Sequence, residues 1–541
     1  MSARERLGLS LIVLLTLGAR AENFALLDHE GRFHELYRYA DHRAIVLFVQ
    51  GNGCPVVRSA LPALRALRAE HEPRGVAFLG LNANPQDTRA SVAAEAREFG
   101  IELPVLMDES QLVAGALGVE RTAEAIAIDP AARFEIVFRG SVDGLDAHLD
   151  GRASPPDARA PLGCLVTYLD RERAVSYAED VVPLLRRRCL DCHREGGVAP
   201  WVMRDFATLR GWSAMMREVV RTLRMPPGQI DPHVGRFRDA RALSPDEARR
   251  LVRWIEAGAP RGAGGDPLAE VPPPRAPEWP LGAPDLVLEL PEQAIPATGV
   301  IDYRYLRIEV GNPEDRWVRA VDLRPSNPHV MHHALASRPP PDGSPWIEGV
   351  FAAYAPGRDP EALPAGTGRL LPANSTLRFQ LHYTASGRPE TDRPRLALYF
   401  HDAKPRHALQ VAAALNRDFA IPPFASHHPV SASHLFERDV VLYSLTPHMH
   451  WRGKEVSFEA EHPDGSRELL LSVPRYQFDW QRPHVLAEPR RLSAGTRIVV
   501  RGAFDNSAAN PQNPDPSRSV EWGEQSFDEM FLGYLLYREG S

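Results

Sequence analysis

Apolar and polar positions repeat on three different periods along this chain, and each change of period marks a part. Between 22 and 170, apolar runs alternate with amphipathic stripes. Ala44 to Gln50 (AIVLFVQ) and Gly75 to Asn82 (GVAFLGLN) are nearly continuous apolar runs of strand length. Between them, Val57 to Glu72 carries leucines at 61, 64 and 67 with charge on the other face, the stripe of a helix. A second helical stretch, Arg89 to Phe99, leads into Leu103 to Met107, and strand-like runs follow near 125–129 and 135–139. Strand and helix in short alternation predict an α/β sheet with covering helices. From 172 to 262 the period is helical. Helices are expected at Trp212 to Arg224 and at Ser244 to Ala257, where Ser244 is the N-cap, Pro245 the first helical residue and Glu247 closes a capping box. Beyond 285, short runs such as Leu377–Tyr383, Val440–Ser444 and Arg497–Ala503 lie between Pro-, Gly- and Asn-rich segments. That spacing predicts an all-β region, an antiparallel sandwich or a tandem pair.

Composition adds boundaries to this picture. The chain has 541 residues, enough for three or four domains at roughly 150 residues each. Hydrophobic residues at 44% and charged residues at 25% exclude a mostly disordered chain. Proline is in excess, 50 residues, which favours loops and short strands over a helical bundle. Eight of the 25 residues from 260 to 284 are proline, so a semi-rigid linker is expected at 263–284. A linker of about 20 residues leaves the preceding segment free to dock in more than one pose. The net charge of −7 gives no basic field for nucleic acid. Arg4 and Arg6 before an apolar run from Leu7 to Leu17, then Ala19-Arg20-Ala21, read as an export signal over 1–21. The run is too short to cross a bilayer, so no transmembrane span is expected and the protein is placed in the periplasm or outside the cell.

The candidate chemistry sits on few residues. Cys54, in Gly51-Asn52-Gly53-Cys54-Pro55, falls at the start of the first helix, where the helix N-terminus favours a thiolate. Cys189-Leu190-Asp191-Cys192-His193 is the covalent haem attachment signature: two thiols for thioethers and a histidine for the iron. Met225, between a helix and Pro226-Pro227, is the first candidate for the sixth ligand, with Met203 as a competitor and Met215 and Met216 read as core. A Met/His pair suits electron transfer. Eleven of the 20 histidines fall between 329 and 450. They include Met331-His332-His333, His382 in Leu381-His382-Tyr383, and His448-Met449-His450. In a strand, His448 and His450 project to one face and reach one metal, whereas adjacent His332 and His333 need a bend to do so.

These motifs carry three resemblances. The segment 22–170 resembles the thioredoxin-like redoxins. It departs from them in having valine at positions 56 and 57, no second CxxC cysteine, no peroxidatic threonine upstream of Cys54, and Ala123 where a cis-proline would stand. The departures argue for a structural or docking domain, with single-thiol chemistry and Cys164 as a distant partner the alternative. The segment 172–262 resembles small all-α class I cytochromes c. The order HH, LHY, HxHxxGK and then Asp528-Glu529-Met530 resembles the copper type II ascorbate-dependent monooxygenases, the family of the peptidylglycine and dopamine hydroxylating enzymes. This last resemblance implies two packed sandwiches, 285–410 and 411–541. It places an electron-transfer copper on His332, His333 and His382, and an oxygen-binding copper on His448, His450 and Met530. Tyr534 would be a substrate-contacting tyrosine. Thr446 stands where peptide-amidating enzymes carry an arginine, which argues against a peptide carboxylate as substrate. The expected protein is an exported copper monooxygenase with two coppers and one covalent haem c, a small-molecule substrate, and ascorbate or a periplasmic redox protein as electron donor. The alternatives are an electron-transfer or copper-handling protein without oxygenase activity, and a peroxide-reducing enzyme.

Overall fold

The computed structural model describes residues 19–152, 163–238, 240–270, 277–338, 349–358 and 360–540. The expected export signal therefore lies outside the described residues up to position 18, and the expected linker does so over 271–276. No helix among the described residues is long and apolar enough to cross a membrane. The chain divides into two compact units, Met1–Arg173 and Ala174–Ser541.

The first unit is built on a five-stranded sheet in the order Val105–Met107, Val76–Asn82, Ala44–Val49, Ala125–Asp129, Glu135–Gly140. The first three run parallel and the last two pair antiparallel. Every residue of Ala44–Val49 and Val76–Asn82 is buried. That is why these strands read as unbroken apolar runs: helices cover both of their faces. Helix Pro55–His71 turns Val57, Leu61, Leu64 and Leu67 into the core. Helix Arg89–Phe99 starts on a capping box between Thr88 and Ser91. Residues read as the end of the export signal extend the sheet edge, with Ala21 donating to the Phe134 carbonyl and Ala19 accepting from Ile136, each at 2.8 Å.

The second unit opens with helices. Tyr177–Val181 leads into Val182–Arg188, followed by Phe206–Arg221 and Pro245–Glu256. The capping box on Ser244 and Glu247 forms as expected. Met216 is buried, but the reading of Met215 as core fails. Met215 is 53% exposed, on the same helix as half-exposed Trp212.

The β-rich remainder has two halves, each with two sheets around one apolar core. In the first half, Arg304–Glu309, Thr376–Tyr383, Met331–Ser337 and Val350–Tyr354 form one sheet, and a second is centred on Arg316–Arg324 and Arg395–Phe400. Phe379, Leu381, Val318 and Leu398, from both sheets, share the core. In the second half, Gln410–Asn416, Phe531–Glu539, Val440–His448 and His484–Leu492 form one sheet. Its partner contains His428–Leu435, Arg497–Phe504, Gly453–Glu461 and Arg467–Val473. Leu442, Leu445, Phe458 and Val500 meet between them.

The helical segment does not dock loosely on this β region. Residues 228–238 are stitched to it by backbone bonds: Asp231 to the Ser472 carbonyl at 2.9 Å, Arg238 to Val485 at 2.9 Å, and Ala487 back to Arg236 at 2.8 Å. Ile230 is part of the second half's core. Bonds along a strand edge fix register, which a proline-rich tether alone cannot do. Proteolytic cleavage within 263–284 should therefore leave the helical segment bound to the β region, co-eluting in size exclusion. Ile230→Ala should lower unfolding free energy by roughly 2–4 kcal/mol, as truncation of a buried isoleucine does. Separate elution after cleavage would show that the stitching does not hold.

Candidate metal sites and thiol pair

The first histidine group depends on an irregularity in one strand. Met331 pairs with Tyr383 but His333 pairs with His382, a register shift that leaves His332 as an extra residue. In a regular strand, neighbours face opposite sides. The bulge turns His332 and His333 to the same side, with their Nδ1 atoms 3.2 Å apart. One ligand atom from each of His332, His333 and His382 lies within 4.8 Å of the others. His382 Nδ1 is buried with no hydrogen-bond partner. An unpaired buried polar atom costs about 1–3 kcal/mol, and three imidazoles converging on such an atom fit a metal ion. Burial holds His382 down to about 3, and burial with the neighbouring histidines holds His333 well below its ordinary value. Both rings are neutral and able to ligate at physiological pH. Tyr303 closes one side, its ring 4.6 Å from His382 and 5.4 Å from His333.

The second group lies at the end of Val440–His448. The His448 and His450 rings stand 5.2 Å apart and nearly perpendicular. His448 Nδ1 faces the Gln481 side-chain oxygen, and His450 Nδ1 faces the Asp528 carbonyl at 3.2 Å. An oxygen acceptor at Nδ1 puts the proton there and leaves the Nε2 lone pair of each ring for a ligand. Burial pushes His448 down to about 4 and His450 well below the usual histidine range. The Glu529 carboxylate, fully buried, accepts from the backbone of His450 at 2.8 Å and of Arg452 at 2.6 Å. It ties the HxH segment to the strand that begins just after Met530. Met530 itself is 5% exposed and packs with Leu415, Trp522, Leu532 and Tyr534.

One short strap joins the two groups. The Phe478 ring stacks on His332 at 4.4 Å and meets the edge of His450 at 5.8 Å. Asp479 accepts from His332 Nε2 at 2.9 Å, and Gln481 holds His448. Beside them, a cavity of about 100 Å³ opens between the two β halves, lined by His333, Tyr354, Thr446, His448, Gln481 and Tyr534 among others. Its arginines, Arg358 and Arg369, are both paired to Glu361, at 3.0 and 2.7 Å. Asp479, Gln481, Phe478, Glu529 and Tyr303 were not singled out in the sequence. Only Glu529 sat inside a noted motif.

The CxxCH segment, Cys189 to His193, lies just after helix Val182–Arg188. His193 Nδ1 faces the Trp201 carbonyl at 3.1 Å, which leaves the Nε2 lone pair available. Trp201 stacks on Trp212 at 5.0 Å. Burial and the neighbouring Cys192 and Glu247 push the Cys189 thiol up to about 12, far from a ready metal thiolate. Among the described residues, Cys189, Cys192 and His193 do not form a three-ligand metal group. Met225 is half-buried in the turn after helix Phe206–Arg221.

In the first unit, Cys54 is the N-cap of helix Pro55–His71 and Cys164 returns from the far end of the unit to stand beside it, Sγ to Sγ 2.9 Å. The Thr122 hydroxyl is 3.1 Å from Cys54 Sγ. Reading upstream of Cys54 missed this threonine, which comes from 68 residues downstream. Ala123, in the place of the cis-proline, adopts a left-handed backbone with φ 61°.

The AhpC/TSA family model matches residues 17–138. The N-terminal region is a thioredoxin-like redoxin domain. The chain is similar to the thiol-disulfide oxidoreductase ResA of Geobacillus thermodenitrificans (strain NG80-2), 25% identical over 138 residues, 25% of this chain and 78% of that protein. It is 26% identical over 115 residues to ResA of Bacillus thuringiensis (strain Al Hakam), 21% of this chain and 65% of that protein. Among solved structures it is similar to an uncharacterized conserved protein from Geobacillus kaustophilus, 27% identical, covering 29% of this chain and 95% of that one, TM-score 0.26. Peroxidoxin BcpB from Mycobacterium tuberculosis is 22% identical, covering 25% of this chain and 91% of that one, TM-score 0.21.

Glu529→Ala should strand two buried backbone donors and cost about 2–5 kcal/mol in chemical denaturation of the metal-free protein. Glu529→Gln keeps one acceptor and should lose about half of that. Equal losses for both variants would mean that the charge, and not the accepted hydrogen bonds, holds this corner.

Proposed function

We propose that this chain is an extracytoplasmic redox protein whose β-rich region holds copper at its two histidine groups and hydroxylates a small molecule bound between its halves. The observation that carries this reading is that the two histidine groups, one from each β half, meet at the same short strap, where the Phe478 ring touches His332 and His450 and Gln481 faces His448, beside a cavity that His333 and His448 line. His332, His333 and His382 would hold one ion. His448, His450 and Met530 would hold the other, the soft thioether favouring Cu(I). Bound copper would supply one-electron storage and the reduction of dioxygen.

The overall balance is substrate C–H plus dioxygen, two electrons and two protons, giving C–OH and water. The electrons come from an external donor such as ascorbate or a periplasmic redox protein. Cys189 and Cys192 would carry a haem c ligated by His193 and Met225, suited to relaying those electrons. The chain's own residues orient and shield. Gln481, Asp479 and the Asp528 carbonyl fix imidazole orientation. Phe478 and the buried walls exclude water from the histidines. Tyr534 and Thr446 border the cavity where a substrate would lie. Among the described lining residues both arginines, Arg358 and Arg369, are paired to Glu361, in keeping with a substrate other than a glycine-extended peptide.

The redoxin match favours a second reading, an electron-transfer or copper-handling protein without oxygenation, since the relatives are named as thiol-disulfide oxidoreductases. Metal and haem analysis of the purified protein, followed by oxygen uptake with ascorbate and a panel of small C–H substrates, separates the two. The first reading expects two coppers and one covalent haem per chain, with oxygen consumed in step with hydroxylated product. Met530→Ile should keep haem and the copper of the His332 group while losing turnover at least 100-fold, since only the soft ligand is removed. Full turnover in Met530→Ile would overturn the oxygenase assignment. Copper and haem that cycle without any oxygenated product would establish the second reading.

A further inference from the structure

We propose that Cys54 and Cys164 form a reversible disulfide, and that through this pair the redoxin domain exchanges disulfides with a thiol-bearing partner. The cysteines are 110 residues apart in sequence, and Val57 occupies the position where a CxxC motif would carry its second cysteine. The proposal goes beyond the copper reading and stands or falls without it.

The contact is built, not incidental. Two sulfurs 2.9 Å apart are already nearer than non-bonded sulfurs normally stand, and an S–S bond at about 2.05 Å needs less than 1 Å of further approach. The segment carrying Cys164 is laced along residues 119–122. Thr122 N donates to the Cys164 carbonyl and Cys164 N donates to the Thr122 hydroxyl, both at 2.9 Å. Val166 N reaches the Glu120 carbonyl at 3.0 Å, and Arg121 Nη1 reaches the Gly163 carbonyl at 2.9 Å. Gln111 clasps the same segment further on, donating to the Thr167 carbonyl at 2.7 Å and accepting from Leu169 at 2.8 Å. A Cβ at Gly163 would stand 1.9 Å from the Thr122 carbonyl oxygen, so only glycine lets the chain come this close.

The two thiols are unequal. Burial raises Cys54, but hydrogen bonds from the Cys164 thiol, the Thr122 hydroxyl and the Val57 amide outweigh it and leave Cys54 at about 7. Cys164 is raised, chiefly by its hydrogen bond to Cys54. Cys54 is 3% exposed whereas Cys164 is exposed. A partner thiolate therefore reaches the Cys164 sulfur of the oxidised pair. The S–S bond breaks, a mixed disulfide forms at Cys164, and Cys54 departs as the stabilised thiolate, since a low-pKa thiol leaves faster. A second partner thiolate then displaces Cys164, which takes up a proton. The net result is two partner thiols oxidised to one disulfide and the Cys54–Cys164 disulfide reduced to two thiols. The reverse reaction reduces a partner disulfide.

The test uses the full-length chain. After incubation with oxidised glutathione and blocking with N-ethylmaleimide, non-reducing peptide mapping should find the Cys54 and Cys164 peptides cross-linked, and dithiothreitol should release them. Cys189 and Cys192 fall in other peptides and do not confuse the result. In the reduced protein, alkylation of Cys54 by iodoacetamide should reach half its maximal rate near pH 7. Cys164→Ser and Thr122→Val should each move that midpoint upward and slow alkylation at pH 7 several-fold. Separately alkylated or separately glutathionylated cysteines, with one pH profile shared by all three proteins, would overturn the proposal.

Discussion

A single extra residue in one strand sets the chemistry of the β-rich region. Adjacent side chains on a regular strand face opposite sides of the sheet, so His332 and His333 would be divided between core and exterior. The bulge between Met331 and His333 removes that division and points both imidazoles toward His382 on the paired strand. The rest of the site follows from where those rings end up. His332 can stack on Phe478 and donate to Asp479 only because the bulge turns it out of the first half's core. Bulges are common beside functional sites because they re-aim a side chain at small cost to the ladder.

The second constraint is dryness. His333 and His382 in the first group and His448 and His450 in the second are held neutral chiefly by burial, and a neutral imidazole is what a metal needs. Dryness also carries a cost, which appears at His382 Nδ1, left without a partner in the interior. At His448 and His450 the cost is met by oxygen acceptors behind the rings, and Glu529 accepts from the backbone amides of His450 and Arg452. That carboxylate is itself raised by burial, to about 8, against the pull of the His450 and Arg452 amides. A charge-capable group kept this deep is maintained by the two backbone donors it satisfies.

What could be read in the sequence depended on whether a signal was local. Ala44–Val49 and Val76–Asn82 were legible because strands covered on both faces become unbroken apolar runs. The helix Pro245–Glu256 was legible from its cap. Helix Phe206–Arg221 begins six residues before the expected Trp212, since its start is set by Asp205 capping Thr208 and not by apolar period. Met215 was misread because one turn of apolar residues was assigned wholly to the core. The need for a bend at His332–His333 was foreseeable, but its form, a bulge, is decided by pairing with a strand some 50 residues on. Thr122 beside Cys54, and Gln481 behind His448, are long-range meetings of residues with no period and no motif. No local pattern announces them.

The strap over Phe478 also explains why the helical segment is fixed and not merely tethered. Arg475 donates to the Thr222 carbonyl and Gln477 accepts from the Gly228 amide, both at 2.9 Å. Met225 lies between those two anchor points. One or a few residues further along the same strap, Phe478, Asp479 and Gln481 touch His332, His450 and His448. On the proposed reading, the haem ligand and both histidine groups are thus connected through one run of about seven residues and two hydrogen bonds. A flexible tether would leave the separation of the redox centres to diffusion. Stitching residues 228–238 to the β region makes the separation between Met225 and the histidine groups a property of the fold and not of a tether.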